Sequence, residues 1–134
     1  FHYLAYQMSD PDTQIFFPDT EKELCFALEN QGLLAEVIRQ RIDKAAQRFD
    51  LSAVYQQDPS TLSQGQKKLL LFAICAAMNT ALILLDEPSA GLAEKGIDML
   101  RSWLIEAKQA GKIIIAAEHA TSLDHLATRI LHLG

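Results

Sequence analysis

The stretch that most constrains this chain is Leu69–Met78, "LLLFAICAAM", which carries no charge and leaves no polar face at helical spacing. A helix of that composition cannot lie on a surface with one side wet; it needs neighbours all round. It spans about half the hydrocarbon thickness of a bilayer, so burial inside a folded domain is expected rather than a membrane crossing. "TLSQGQKK", Thr61–Lys68, stands directly before it. Ser63 is a good N-cap and Gln66 sits where a capping box places its second member, so ordinary physics starts the helix here.

The rest of the chain supplies the neighbours. "FHYLAYQ" (Phe1–Gln7) reads as a buried strand that stops at Asp10, Pro11 and Asp12, residues of turn chemistry. "TEKELCFALENQG" predicts a helix with Thr20 as N-cap, Glu23 at the capping-box position, Leu24, Ala27 and Leu28 on one face, and Gly32 as its end. Beyond Leu34 the apolar positions Ile38, Ile42, Ala45 and Phe49 recur at helical spacing, and "DPSTLS" interrupts the pattern. "ALILL" (Ala81–Leu85) and "KIIIAA" (Lys112–Ala117) are apolar without alternation, which predicts strands covered on both faces. The helix between them, Glu94–Ala110 with Gly111 behind it, is the crossover that parallel strands require. The expected class is α/β with a parallel sheet, and Pro11 to about Thr61 is purely helical, as a subdomain inserted between strands would be.

Composition narrows the partners. The 134 residues are 49% apolar, enough for one domain with a core. The net charge is -5 and the basic residues, such as Arg39, Arg41, Lys67 and Lys68, are scattered, which disfavours nucleic acid as a partner. Cys25 and Cys75 sit within apolar helical patterns and read as buried reduced thiols, in keeping with a cytoplasmic protein.

In open parallel sheets, ligands collect at the carboxyl ends of the strands, where Gln7, Asp86, Glu87 and His119 fall. Two carboxylates behind an apolar strand suit a metal–nucleotide site: one holds the shell of Mg²⁺, the other orients or deprotonates water. Taken singly, Asp86 and Glu87 are equally compatible with capping the next turn, and a lone histidine is more often structural. Ser63 and Gly65 at a helix N-terminus form a place where an anion can approach the backbone. A capping box alone does not need the glycine, which costs roughly 1 kcal/mol relative to alanine inside a helix, so a phosphate is the favoured reason for it.

"LSQGQ" (Leu62–Gln66), "LILLDEP" (Leu82–Pro88), "SAGL" (Ser89–Leu92) and a strand ending in Glu118 and His119 together resemble the ATP-binding-cassette ATPase family, in order and spacing. The resemblance covers nearly the whole chain. It implies a Q-loop at Gln7, a signature motif at Ser63, Gln64, Gly65 and Gln66, a Walker B strand ending in the metal-binding Asp86, a catalytic carboxylate at Glu87, a D-loop at "SAGL" and a switch histidine at His119. "DPDTQIF" and "FALENQGL" are similar to the cobalt-type, energy-coupling-factor branch, which implies that Pro11, Asp12, Gln14 and Ile15 meet a transmembrane partner. An ordinary Asx-Pro turn is the other reading of those four residues.

By this resemblance the fold is part of a P-loop NTPase, RecA-like, with residues 1–7 and 80–134 in the core and about 11–79 in a helical subdomain that includes the signature helix. The implied ligands are ATP and Mg²⁺, and the implied partners are a second cassette bound head to tail and a transmembrane subunit. The implied place is the inner face of the cell membrane, peripherally, on the cytoplasmic side. The implied activity is ATP hydrolysis that drives import of a metal ion or vitamin. A degenerate cassette that binds without useful turnover, and a soluble cassette acting in repair or translation, are the alternatives.

Two residues depart from the family pattern: Gln64 stands where the signature has glycine, and Ala93 where the D-loop ends in aspartate. Gln64 is expected to narrow the approach of a phosphate. The phosphate loop GxxxxGK[ST] does not occur in these residues, and the family places it ahead of the Q-loop, so the chain reads as the C-terminal portion of a nucleotide-binding domain. A strand is then expected beside "LILLD" from outside these residues. Without the lysine and amide nest of that loop, the 134-residue polypeptide alone is expected neither to bind Mg-ATP tightly nor to hydrolyse it. Calorimetric titration and a phosphate-release assay check this, and micromolar binding or steady turnover would contradict it.

Overall fold

The structure, a computed structural model, describes residues 4–133. Strand β1 (Leu4–Gln7) leads through a 3-10 turn at Pro11–Thr13 into α1 (Thr20–Glu29) and α2 (Ala35–Arg48). A second 3-10 turn, Pro59–Thr61, precedes α3 (Gln64–Met78). Strand β2 (Leu82–Asp86), α4 (Glu94–Gln109) and β3 (Ile113–Ala117) complete the regular structure, apart from a short turn at Asp124–Leu126. The part of the predicted first strand at Phe1–Tyr3 lies outside the described residues. No helix among the described residues is long and apolar enough to cross a membrane.

Helix α3 is where its composition requires it to be. Leu70, Leu71, Phe72, Ala73, Cys75 and Ala77 are all buried, and the helix is packed by α1, α2, α4 and β1. Phe72 meets Phe49, just past α2, at 6.1 Å between ring centroids and Trp103 of α4 at 6.0 Å, while Phe49 and Trp103 meet edge to face at 5.8 Å. This aromatic trio joins three helices that no local signal would bring together. Asn79 ends α3 in the left-handed conformation, with φ of 53°.

Capping differs from expectation at α1. Asp19, not Thr20, is the N-cap, its carboxylate accepting from the Lys22 N–H at 2.6 Å. Thr20 is buried inside the first turn, its hydroxyl donating to the Gln57 carbonyl at 3.1 Å. Glu23 therefore lies one position too far along for a capping box, and its carboxylate instead accepts the N–H groups of Phe16 and Phe17. Aspartate and threonine both cap well, and the tertiary contact to Gln57 decides between them.

All three strands are parallel, in the order β1–β2–β3. β2 is thus flanked on both sides, so "LILLD" is the central strand, and no further strand can lie beside it as expected; the open edges are those of β1 and β3. The expectation that both sheet faces are covered also fails. Ala5, Ile83 and Leu85 share one face and are buried in the common core with α3 and α4. On the opposite face Tyr6, Ile113 and Ile115 are exposed, the last two at 62% and 57%, because no described element packs there. Apolar composition reports that a strand suits burial on two sides; it cannot report which segment does the burying.

Truncating Phe72 removes a fully buried ring that packs on Phe49, just past α2, and on Trp103 of α4. Phe72→Ala is expected to lower unfolding free energy by about 3 to 5 kcal/mol, measured by urea denaturation with Trp103 fluorescence as the probe.

Candidate functional site

The three parallel strands deliver their last residues to one end of the sheet. Gln7 closes β1 and is completely buried. Its Nε2 donates to the carbonyls of Met8 and, at 3.2 Å, Asp86. Two carbonyl partners oblige the nitrogen to face them, which leaves the buried Oε1 without any partner. An acceptor of this kind, next to the carboxylate-bearing Asp86, suits a hard cation or its water. Among the described residues there is no cluster of three or more His, Cys, Asp or Glu able to enclose a metal by themselves, so any ion here would also need ligands from water or substrate.

Glu87 follows β2 and prolongs the sheet by one bond, its N–H donating to the Ala117 carbonyl at 2.8 Å. Its φ is +46°, a left-handed conformation that a non-glycine residue adopts at a cost of order 1 kcal/mol or more. Glu87 Oε1 lies 3.2 Å from His119 Nε2, a charge pair when the imidazole is protonated. The histidine side chain is otherwise open to solvent.

Two residues that sequence reasoning missed hold this arrangement. Lys68 is 4% exposed, and its Nζ donates to the carbonyls of Glu87 and Ala90, both at 2.7 Å, which fastens the loop after β2 to α3. Burial lowers its pKa, and the nearby charges of Glu118, Glu87 and Asp86 oppose that shift. Glu118 fastens the same loop from the other side: it accepts the Ser89 hydroxyl at 2.6 Å and the Ser89 N–H at 3.0 Å, together with the N–H groups of His119 and Ala120. A signal for Lys68 was present, since it shares a helical face with Phe72 and Cys75, and a cation on an apolar face must find partners.

The first turn of α3 forms the second group. Ser63 and Gln66 make the expected capping box: the Gln66 N–H donates to Ser63 Oγ at 3.1 Å and the Ser63 N–H to Gln66 Oε1 at 2.9 Å. A Cβ built on Gly65 would meet the Gly91 carbonyl at 3.6 Å, an ordinary contact. The turn therefore abuts the loop after β2, although no hydrogen bond among the described residues joins Ser63 or Gly65 to Glu87 or His119. The Gln64 side chain reaches instead to Asp12, its Nε2 donating to Oδ2 at 2.8 Å. Asp12 belongs to the turn after β1, where Pro11 is buried, Ile15 packs on the core, and Gln14 donates to the Tyr6 carbonyl at 2.6 Å and accepts the Met8 N–H at 2.8 Å.

The Glu118 carboxyl carries a pH prediction. Burial would raise its pKa, but the donors from Ser89, Ala120 and His119 outweigh it and hold the carboxyl below the ordinary 4.5. A folded-state value below the unfolded one stabilises the fold above the unfolded pKa, and that stability is lost as pH falls through the lowered value. Glu118→Gln is therefore expected to be less stable than the parent at about pH 7, with the gap narrowing below about pH 4.5, in urea titrations across that range.

Comparison with known proteins identifies the family. The family model described as ABC transporter matches residues 7–90. The energy-coupling factor transporter ATP-binding protein EcfA of Methanococcus maripaludis is 34% identical over 114 residues, covering 85% of this chain and 41% of that protein. EcfA of Methanocaldococcus jannaschii is 33% identical over 114 residues, with 85% and 41% covered. The solved structure of cbiO1 from Clostridium perfringens, part of the ABC transporter complex cbiONQ, superposes with a TM-score of 0.74 at 32% identity, covering 89% of this chain and 48% of that one. The dimeric bacterial ABC transporter cassette MJ0796, with a TM-score of 0.81 at 19% identity and 92% and 55% covered, shares the fold. The chain spans less than half the length of the EcfA relatives it matches. With its strand-end carboxylates, its capped Ser-Gln-Gly-Gln turn and a family match across both, this chain belongs to the ABC transporter ATP-binding family and has the α/β fold of P-loop NTPase cassettes.

Proposed function

We propose that this chain is part of the ATP-hydrolysing subunit of an energy-coupling-factor-type importer that moves a metal ion or vitamin through a transmembrane partner. The observation that carries this reading is the Glu87–His119 pair, 3.2 Å apart at the ends of adjacent parallel strands, with Gln7 and Asp86 beside it. The relatives' names, EcfA and a component of cbiONQ, support the choice of branch. Residues 11–79 are proposed as the helical subdomain, and 1–7 with 80–134 as part of the RecA-like core. The open sheet face at Tyr6, Ile113 and Ile115 is proposed to receive the rest of the subunit.

In this reading Glu87 accepts a proton from the attacking water, and His119 donates through Nε2 to the γ-phosphate of ATP. Asp86 and the free Oε1 of Gln7 are the groups that would hold Mg²⁺. The ion, when bound, would neutralise charge on the phosphates. Lys68 and Glu118 position the chemistry by pinning the loop that carries Glu87 from both sides.

Gly65 supports a ligand from outside the chain. The fold leaves room for a side chain there, so the glycine answers to something that approaches the turn, proposed as the γ-phosphate of ATP seated in a second cassette. Ser63, Gln64 and Gln66 complete that surface, with the two cassettes head to tail. The subunit is proposed to lie on the cytoplasmic face of the membrane, with Pro11, Asp12, Gln14 and Ile15 toward the transmembrane partner.

Glu87→Gln preserves shape and removes the base. In the complete subunit it is expected to retain ATP binding and to lower turnover by on the order of a hundredfold or more, measured by phosphate release alongside nucleotide titration. Turnover near that of the parent would remove Glu87 from this role.

A further inference from the structure

Basic residues that lie scattered along the sequence are gathered by the fold. Arg41, Lys44 and Arg48 follow one another at i, i+3 and i+7, so α2 carries them along one face. That face borders a cleft of about 290 Å³, and Lys112, just ahead of β3, lines its other side. Glu106 of α4 is the one carboxylate-bearing residue among the described residues that line the cleft. In a chain of net charge -5, four cations against one carboxylate is a local reversal of sign. The cleft lies toward the amino ends of β2 and β3, where Asn79, Ile83 and Lys112 line it, so the length of β2 separates it from Asp86 and Glu87.

Structural work accounts for part of this cluster. Arg41 donates to the carbonyls of Ala77 and Met78 at the end of α3, both at 3.4 Å, and Lys112 Nζ donates to the Thr80 carbonyl at 2.6 Å. Arg48 pairs with Glu106. Lys44 is exposed and takes part in no ion pair among the described residues. A guanidinium has five donors and an ammonium three, so Arg41 and Lys112 keep N–H groups beyond those the carbonyls use. Burial lowers the Lys112 pKa and the charge of Arg41 lowers it further: the two meet as like charges.

The volume is that of about ten water molecules, at the lower limit of small-molecule pockets. Ile83 and Trp103 also line it and offer an apolar surface beside the cations. One carboxylate ligand would offset one positive charge, whereas a phosphate or pyrophosphate group offsets two or more and matches the fork of a guanidinium. We propose that this cleft binds a small phosphate-bearing anion of two or more negative charges, held by Arg41, Lys44 and Lys112, with Ile83 and Trp103 beside its uncharged part. Its occupant bridges α2 and the start of β3. The site uses none of the residues proposed to act on ATP.

The test uses the complete subunit, inorganic pyrophosphate as the probe, and lysine acetylation read by mass spectrometry. Pyrophosphate at or below about 1 mM is expected to slow acetylation of Lys44 about threefold or more and to leave Lys22, exposed on α1, unchanged. Glu106→Gln removes the opposing charge and frees Arg48, so half-protection should need about threefold less pyrophosphate; Arg41→Gln should need about fivefold more. The two substitutions change the charge of the cleft in opposite directions, whereas a loss of packing would weaken protection in both. Absence of protection at Lys44 in the parent, or weaker protection in Glu106→Gln, would overturn the proposal. Capture of the subunit by phosphatidylglycerol vesicles with no protection by pyrophosphate would also overturn it, by assigning the cations to a membrane surface. Protection of Lys44 in a subunit with no ATP turnover would support the anion site and dismiss the enzymatic reading instead.

Discussion

Burial of α3 is the constraint from which the rest of the structure follows. Each large apolar side chain taken out of water there is worth about 1.5 to 3 kcal/mol, and the helix presents such side chains all round. It must therefore be enclosed by α1, α2, α4 and β1, and its N-terminus must emerge wherever those four leave an opening. That opening lies against the turn after β1 and the loop after β2. Ser63 and Gly65 stand near the strand ends because the hydrophobic length behind them has no freedom to sit elsewhere.

Polar groups inside this arrangement are few, and two reach the loop after β2 from other elements. Lys68 reaches from the buried side of α3 to the carbonyls of Glu87 and Ala90, and Glu118 reaches from the end of β3 to Ser89. The loop between β2 and α4 is therefore bonded on two sides, and the left-handed backbone at Glu87 is sustained by bonds around it rather than by local preference. Such a frame fixes the backbone that carries Glu87 beside His119, as the proposed action of Glu87 on a positioned water would require.

Much of the fold was legible in the chain. Two of the strands, the four helices, the capping box at Ser63 and Gln66 and the parallel crossover were predicted close to their observed bounds, and the first strand ends at Gln7 as predicted, its predicted start at Phe1–Tyr3 lying outside the described residues. The strand-end residues Gln7, Asp86, Glu87 and His119 were legible because an apolar strand that ends abruptly in polar residues announces its carboxyl end. Three readings failed at tertiary contacts. Thr20 lost the cap to Asp19 because its hydroxyl is taken by Gln57; the sheet is open on one face; and "LILLD" turned out to be central between β1 and β3.

The sequence by itself determined the elements, their order and the chemical types at the strand ends, since these depend on spacing, turn residues and hydrophobic pattern, which are properties of neighbours along the chain. Only the tertiary structure decided that Lys68 holds the Glu87 loop, that Ser89 meets Glu118, and that Gln64 and Lys67 share Asp12. These partners lie between 19 and 55 residues apart. A hydrogen bond is satisfied within about 3 Å and is blind to separation along the chain, so which donor meets which acceptor is settled only when the packing of α3 brings the loops together.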